Sequence, residues 1–483
     1  MLPCIAILFP VLSGILISVM KKEEKMRNRL YAAALLLSDL LCVLEIRFRQ
    51  SATPIAFTGT LKITFAPDSL GCYCLTAVMV LYTAVTFYAF EYMKKEERPS
   101  VFFAFLFISY GAFAGVCLSG NLVTLYLCFE MLTLTTVPLV LHELTKEAVA
   151  GGLKYLFYSV AGALMGLLAV FFLYQYAGGD TSFVKGGFLD LSGIAGHENL
   201  LRGVIFAGII GFGTKAGMYP MHGWLPAAHP VAPAPASSLL SGIVAKAGVL
   251  AVIRLVYYSA GTELLAGTWV QYTWMTLCLL TIFMGSMMAF REKVIKKRLA
   301  YSTISQISYI LFGLSLMTER GVRGGLIHLM GHAASKGCLF LAAGVFIYQL
   351  GIHDVSGLKG IGKRMPVTMW CFTIVSLSLV GIPPLAGFLS KWEIASAAVG
   401  SGAGVFAILG PVVLLISALL TGGYLLTIVV EAFFPGREEN GAAEPVYEKA
   451  EPPALMTVPM IVLAAASLVV GTAGLTLLNL YGL

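Results

Sequence analysis

The sequence predicts an all-α integral membrane protein with about 14 transmembrane helices. Three observations lead there. The 483 residues are 58% hydrophobic and only 12% charged, whereas ordinary soluble domains are about 25% charged. The apolar residues gather into runs of about 18 to 28, the length a helix needs to cross a hydrocarbon core. Lys and Arg concentrate in alternate connections between those runs. A single soluble core could not hide this much apolar surface.

The runs lie near 2–20, 29–46, 70–92, 100–119, 121–142, 151–177, 200–219, 233–258, 267–290, 298–318, 324–350, 366–399, 404–434 and 454–480. The first is followed by KKEEKMRNR and then at once by the second, so it reads as a helix rather than a cleavable leader. Connections are short except near 47–69, 178–199 and 435–453, and none is large enough to form a domain with an active site. The nine cysteines are scattered, and only Cys72 and Cys74 stand close together. No second pair completes a metal site, so they read as small apolar core residues.

Counting basic residues by side orients the chain. One set of connections holds about 19, in KKEEKMRNR, KKEERP, Lys146, REKVIKKR, Lys359, Lys363, Arg364, Arg437 and Lys449. The other holds about six: Arg47, Arg49, Lys62, Lys185, Arg320 and Arg323. The positive-inside rule places the first set in the cytoplasm and both termini outside. It also accounts for the net charge of +7 without nucleic acid. Lys154, Arg202 and Arg254 stand near span ends, where their stems can snorkel to the interface.

Lys215, Lys246, Lys336 and Lys391 lie within or close to apolar runs. Each costs about 2.5–3.5 kcal/mol on insertion scales, so they are expected to face an internal, hydrated path. Structural ion pairs between helices are the competing explanation. Glu130, halfway along the fifth run, is a natural partner for such lysines. The helix carrying Lys215 meets Gly217 and Pro220 and is expected to break there. Broken helices at membrane depth line cavities or ion sites. Lys215 precedes its break, near a half-helix C-terminus, where the dipole favours the charged amine. Lys391 follows Pro383, Pro384 and Gly387, so the nearest end is expected to be an N-terminus, which favours the neutral amine. Two lysines with opposite bias would suit a relay.

His328, His332 and Lys336 recur every four residues, so they share one helix face and span about 12 Å of rise. Such a stripe suits a proton or water path. A metal pair or simple packing would use the same spacing, though no third ligand stands nearby. His222 and His229 flank WLPAAHP just past the first break, where they could admit protons or cap the broken helix. The segment YSTISQISY, 301–309, supplies hydroxyls that could hold water or bind helices together.

Two broken helices five spans apart, each with one lysine, are the pattern of an inverted repeat. The expected organisation is an N-terminal group of three helices at 1–99, a first five-helix repeat at 100–258, a second at 259–434, and a cytoplasmic loop with a last helix at 435–483.

At these residues the chain resembles the antiporter-like membrane subunits shared by respiratory complex I, multisubunit Na⁺/H⁺ antiporters and energy-converting membrane hydrogenases. The resemblance runs from Asp68 to about Tyr424. It rests on GNLVTLYLCFEMLTL, KYLFYSVAG, TKAGMYPMHGWLPAAHPVAPAPASSLLSGIVAKAG, RLAYSTISQ, HLMGHAASKGCLF and GIPPLAGFLSKW, in that order. It implies a lateral proton path made of the Glu130–Lys215 pair, Lys246 on the connecting axis, the His328/His332/Lys336 stripe and a terminal Lys391. Movement of the Glu130–Lys215 pair would switch the proton's direction. The chain departs from the family pattern at Phe129, where Trp is common, and at Val294, where Asp often precedes the lysine by two. It also stops after the last run, without a long lateral helix.

The expected function is therefore proton translocation, or Na⁺/H⁺ antiport, by one membrane subunit of a larger complex in a prokaryotic cell membrane. Its partners would be other membrane subunits of an antiporter or a redox complex. No cofactor motif, metal site, Ser/His/Asp set or phosphate loop occurs, so any redox chemistry belongs to other chains. A stand-alone carrier of a small solute is the alternative; it too would use broken helices at the midplane.

Overall fold

The computed structural model describes residues 1–20, 22–435 and 448–483. Lys21 and Arg437, both counted above as cytoplasmic, lie outside the described residues, as does most of the 435–453 connection.

The chain is a helical membrane protein. It opens with α1 (Leu2–Val19) and α2 (Glu24–Phe48), then forms a two-stranded antiparallel hairpin, β1 (Ala52–Ala56) with β2 (Lys62–Phe65). The hairpin fills the first long connection. There follow α3 (Ser69–Tyr92), α4 (Pro99–Leu118), α5 (Leu122–Val140), α6 (Lys146–Tyr176), α7 (Glu198–Lys215) and the short α8 (Leu225–Val231). Next comes one continuous rod: α9 (Ala234–Leu239), a π-helical turn at Leu240–Val244, α10 (Ala245–Ile253) and a second π-helical segment at Arg254–Ala260. The remainder is α11 (Trp269–Arg291), α12 (Ile295–Ser315), α13 (Glu319–Leu350), the short α14 (Ile361–Arg364), α15 (Pro366–Val380), α16 (Ala386–Gly400), α17 (Phe406–Phe433) and α18 (Ala454–Tyr481).

Ten of the described helices are long and apolar enough to cross a bilayer, among them the fully buried rod Ala234–Ala260. Helix starts follow local chemistry. The side chains of Asp68, Asn121, Thr145 and Thr318 accept backbone N–H groups from the first turns of α3, α5, α6 and α13, which satisfies donors the helix itself cannot. The apolar rod and α13 form the centre, with α3, α12 and α18 packed around them.

Both expected breaks are present. After Lys215 the chain turns through Gly217, at φ +77°, where a side chain would be strained and would run into Leu225. After Val380 it turns through Gly381, at φ +101°, before α16 begins. There α15 and α16 approach so closely that a Cβ on Gly387 would overlap the Ser378 carbonyl oxygen.

Two readings of basic residues need correction. Arg254 does not snorkel. It is 1% exposed and holds Asp68 through two hydrogen bonds of 2.6 Å, with Phe183 and Tyr258 rings 4.6 and 4.7 Å from its guanidinium. Lys296 and Arg298 are not loop residues. They start α12 and are buried, Lys296 donating to the Ala232 carbonyl at 2.8 Å. The connection before them is pinned, with Val294 bridged to Asp354 and the Ile295 N–H bonded to the His353 carbonyl, so the helix begins inside the charged stretch.

Candidate functional site

The first cluster gathers α5, α6 and α7. Glu130 is half-buried on α5, with Oε1 enclosed and unpartnered. Lys215, the last residue of α7, is 1% exposed. The two are not an ion pair. Lys215 donates instead to Thr133 Oγ1 at 2.7 Å and approaches the Tyr155 hydroxyl at 3.5 Å. The Phe129 ring lies 4.9 Å from its amine, so the residue that departs from the family pattern still offers the cation an aromatic face. Trp224 closes the break: its ring lies tilted against Tyr155 at 4.6 Å and it donates to the Thr214 carbonyl at 2.8 Å, which also accepts the Gly217 N–H at 3.0 Å.

The second cluster joins Lys246 on α10 to Lys336 on α13. The π-helical turn before Lys246 widens the backbone, and the Lys246 amine bonds the Ser241 carbonyl within that turn. Ser241 Oγ meets Thr303 Oγ1 at 2.6 Å. Thr303 donates to the Leu299 carbonyl at 2.9 Å, and Lys336 donates to the same oxygen at 3.2 Å. Lys246 and Lys336, 2% and 0% exposed, are thus linked through Ser241 of the π-helical turn and neutral oxygens on α12. α10 reaches the first cluster where Gly248 packs on the backbone of Lys215 and Ala216.

The third cluster lies at the second break. His328 Nδ1 is 2.8 Å from Ser390 Oγ, and its ring meets His332 at 5.8 Å and Tyr309 at 5.5 Å. Neither ring nitrogen of His332 has a hydrogen-bond partner. Lys391 is half-buried on the second turn of α16. Its amine does not follow the expectation for a helix N-terminus. It turns back to the carbonyls of Leu379 and Val380, at 2.6 and 3.0 Å, at the C-terminal end of α15. The stem is long enough to cross the break, and the open carbonyls there favour a cation. The proposed opposite bias of the two lysines is therefore not what this geometry gives. The Tyr309 ring, 5.0 Å from the Lys391 amine, carries a hydroxyl bonded to Ser417.

His229 is buried with both ring nitrogens unpartnered, stacked on Phe340 at 4.6 Å. His222 is half-buried, stacks on Tyr219 at 5.8 Å, and leaves Nδ1 unpartnered. Capping of the broken helix by His229 is thereby removed. Thr133, Tyr155, Ser241, Thr303, Tyr309 and Ser390 are site residues that the sequence reading did not single out one by one.

Lysines enclosed across a helical membrane bundle with two broken helices define a class of ion-handling membrane proteins. Residues 119–417 match the family described as NADH:quinone oxidoreductase/Mrp antiporter, transmembrane. The chain belongs to that family of antiporter-like subunits, shared by complex I, Mrp antiporters and membrane hydrogenases. It is 31% identical to NADH-quinone oxidoreductase subunit N of Desulforudis audaxviator (strain MP104C) over 404 residues, covering 80% of this chain and 77% of that one. It is 32% identical to hydrogenase-4 component B of Escherichia coli (strain K12) over 439 residues, covering 86% of this chain and 62% of that longer one. The Mrp complex from Dietzia sp. DQ12-45-1b contains a chain of the same fold, at TM-score 0.84 and 20% identity, covering 100% of this chain and 96% of that one.

Proposed function

We propose that this chain is a proton-translocating membrane subunit of a complex I/Mrp-type assembly. Protons pass along Glu130, Lys215, Lys246, Lys336, His332, His328 and Lys391, with His222 and His229 at the uptake side. One observation carries the reading: none of the ion pairs among the described residues involves these lysines. Each amine rests on neutral hydroxyl or carbonyl oxygens. A lysine bound in this way can give up its proton without stranding a buried carboxylate. That favours a conducting role over structural pairing.

In this proposal fourteen segments cross the membrane, both termini face outward, and residues 100–258 and 259–434 are inverted repeats. The parallel breaks after Lys215 and Val380 support the repeat. The cleft between His328, His332, Ser378 and Ser390 is too narrow to admit a water-sized sphere. Cofactors, where the assembly carries electrons, belong to other subunits. The test is proton movement by the purified complex in vesicles. Loss with Lys215→Ala at normal assembly is the expected result, and undiminished movement overturns the reading. Mass spectrometry and iron analysis of the same preparation separate a redox-driven pump from an antiporter.

A further inference from the structure

Asp39 plays no part in this axis. It is the sixteenth of the 25 residues of α2, near the middle of the second apolar run. Its Oδ2 accepts from Thr83 Oγ1 at 2.7 Å and its Oδ1 from the Tyr110 hydroxyl at 2.5 Å. The Tyr82 ring stacks on Tyr110 at 4.8 Å and fixes it. Each oxygen thus has a hydroxyl neighbour, and no ion pair among the described residues involves this carboxyl. Asp39 lines an otherwise apolar groove of about 540 Å³, walled by Met79 and Phe87 of α3 and by Leu455, Val458 and Val462 of α18. The groove lies on the outside of the bundle, because α2 packs chiefly on α1 and α3.

We propose that this groove seats a transmembrane helix of a neighbouring subunit whose Lys or Arg pairs with Asp39. A carboxyl in an apolar groove at that depth is costly to ionise alone, and a cation brought beside it removes that cost. Asp39 stands nine residues from the end of α2, about 13.5 Å along the axis, so a lipid headgroup amine at the interface is far from it and an acyl chain brings no charge. A second copy of this chain cannot supply the cation either. Its mid-depth Lys215, Lys246 and Lys336 are buried, and its Lys391 amine is held by two carbonyls. The remaining occupant is an apolar helix with one basic residue near its middle.

The inference rests on the chain being one subunit of an assembly, and not on the proton axis. The experiment uses the whole complex in native membranes, with a photo-crosslinking amino acid at Val458, which is 52% exposed on the groove wall. The expected adduct maps to an apolar, helix-length segment of another subunit with a Lys or Arg within it. Asp39→Asn is expected to lower its yield, measured per amount of chain, about tenfold or more. Asp39→Lys combined with Asp at the partner's basic position is expected to restore it. Adducts with lipid alone or with another copy of this chain overturn the proposal. So do a segment without a basic residue, an unchanged yield in Asp39→Asn, and a failed charge exchange with both chains present. If no other subunit accompanies the chain at all, the functional reading itself fails. Absence of this adduct from an intact, proton-moving complex sinks only the groove.

Discussion

Lys215 donates to Thr133 Oγ1 at 2.7 Å, and Thr133 follows Glu130 by three residues on α5. The hydroxyl that holds the amine and the carboxylate that attracts it therefore lie on one face of one helix. In the proposed mechanism, a shift of that helix would exchange one partner for the other. Thr133→Val keeps the shape and removes the neutral acceptor. A hydrogen bond to a charged group is worth about 1.5–3 kcal/mol, so proton movement by the complex is expected to fall about tenfold or more with assembly unchanged. Glu130→Ala and Lys215→Ala are expected to abolish it, and exposed Lys146→Ala to leave it near normal. Wild-type rates in Thr133→Val would show that the hydroxyl only fills space.

Thr303 bridges the Ser241 hydroxyl and the Leu299 carbonyl, the acceptor it shares with Lys336. Thr303→Val cuts this bridge between two buried lysines. The expected outcome is a several-fold drop in proton movement, with a stability loss of only about 1 kcal/mol, the net worth of one hydrogen bond. Thermal unfolding and vesicle acidification on one preparation separate the two. A large drop in stability with unchanged transport per folded complex would make the bridge helix glue and nothing more.

What was legible in the sequence, and what was not, follows from which physics is local. Lys215 announced itself through apolar neighbours and through Gly217 and Pro220, which act on their own stretch of backbone. The helices were legible for the same reason. Lys391 was singled out, but its setting was misread, because sequence tells which helix carries a side chain and not where a four-carbon stem leads. Lys296 was assigned to a loop because six of the eight residues of REKVIKKR are charged, and only contacts with the distant Asp354 and Ala232 decide where the helix begins. The Asp68–Arg254 pair joins residues 186 apart, and each alone reads as a span-end charge. The π-helical turn at Leu240–Val244 has an unremarkable apolar composition, so the carbonyl it offers Lys246 left no mark.

Gly387 sits where α15 and α16 touch, and any side chain there meets the Ser378 carbonyl. The carbonyls of Leu379 and Val380 that hold Lys391 follow directly. Gly387→Ala is expected to push the half-helices apart and to destabilise by about 1–3 kcal/mol, as overpacking does. The same shift moves Lys391 off its carbonyls, so proton movement should fall further than the folded fraction does. Gly400→Ala, with nothing within 4 Å of the added Cβ, is the comparison. Equal melting temperatures for the two variants would refute the contact.

The Asp68–Arg254 pair ties the start of α3 to the end of the buried rod. Burial pushes the Asp68 carboxyl upward, but the hydrogen bonds and charge of Arg254 outweigh it and hold the group below its ordinary 3.8. A carboxyl depressed in the folded state contributes stability above its unfolded value, and that contribution disappears as pH falls through the folded one. The tie should therefore be intact at neutral pH and loosen only below about pH 4. Asp68 is 36% exposed, which screens part of the interaction, so Asp68→Asn should cost less than the roughly 3–5 kcal/mol of a fully buried broken pair. Melting temperature measured from pH 7 down to pH 3 checks this. The wild type should lose stability over the acid end of that range. Asp68→Asn should start lower and stay flatter, and parallel curves for the two proteins would mean that acid acts elsewhere.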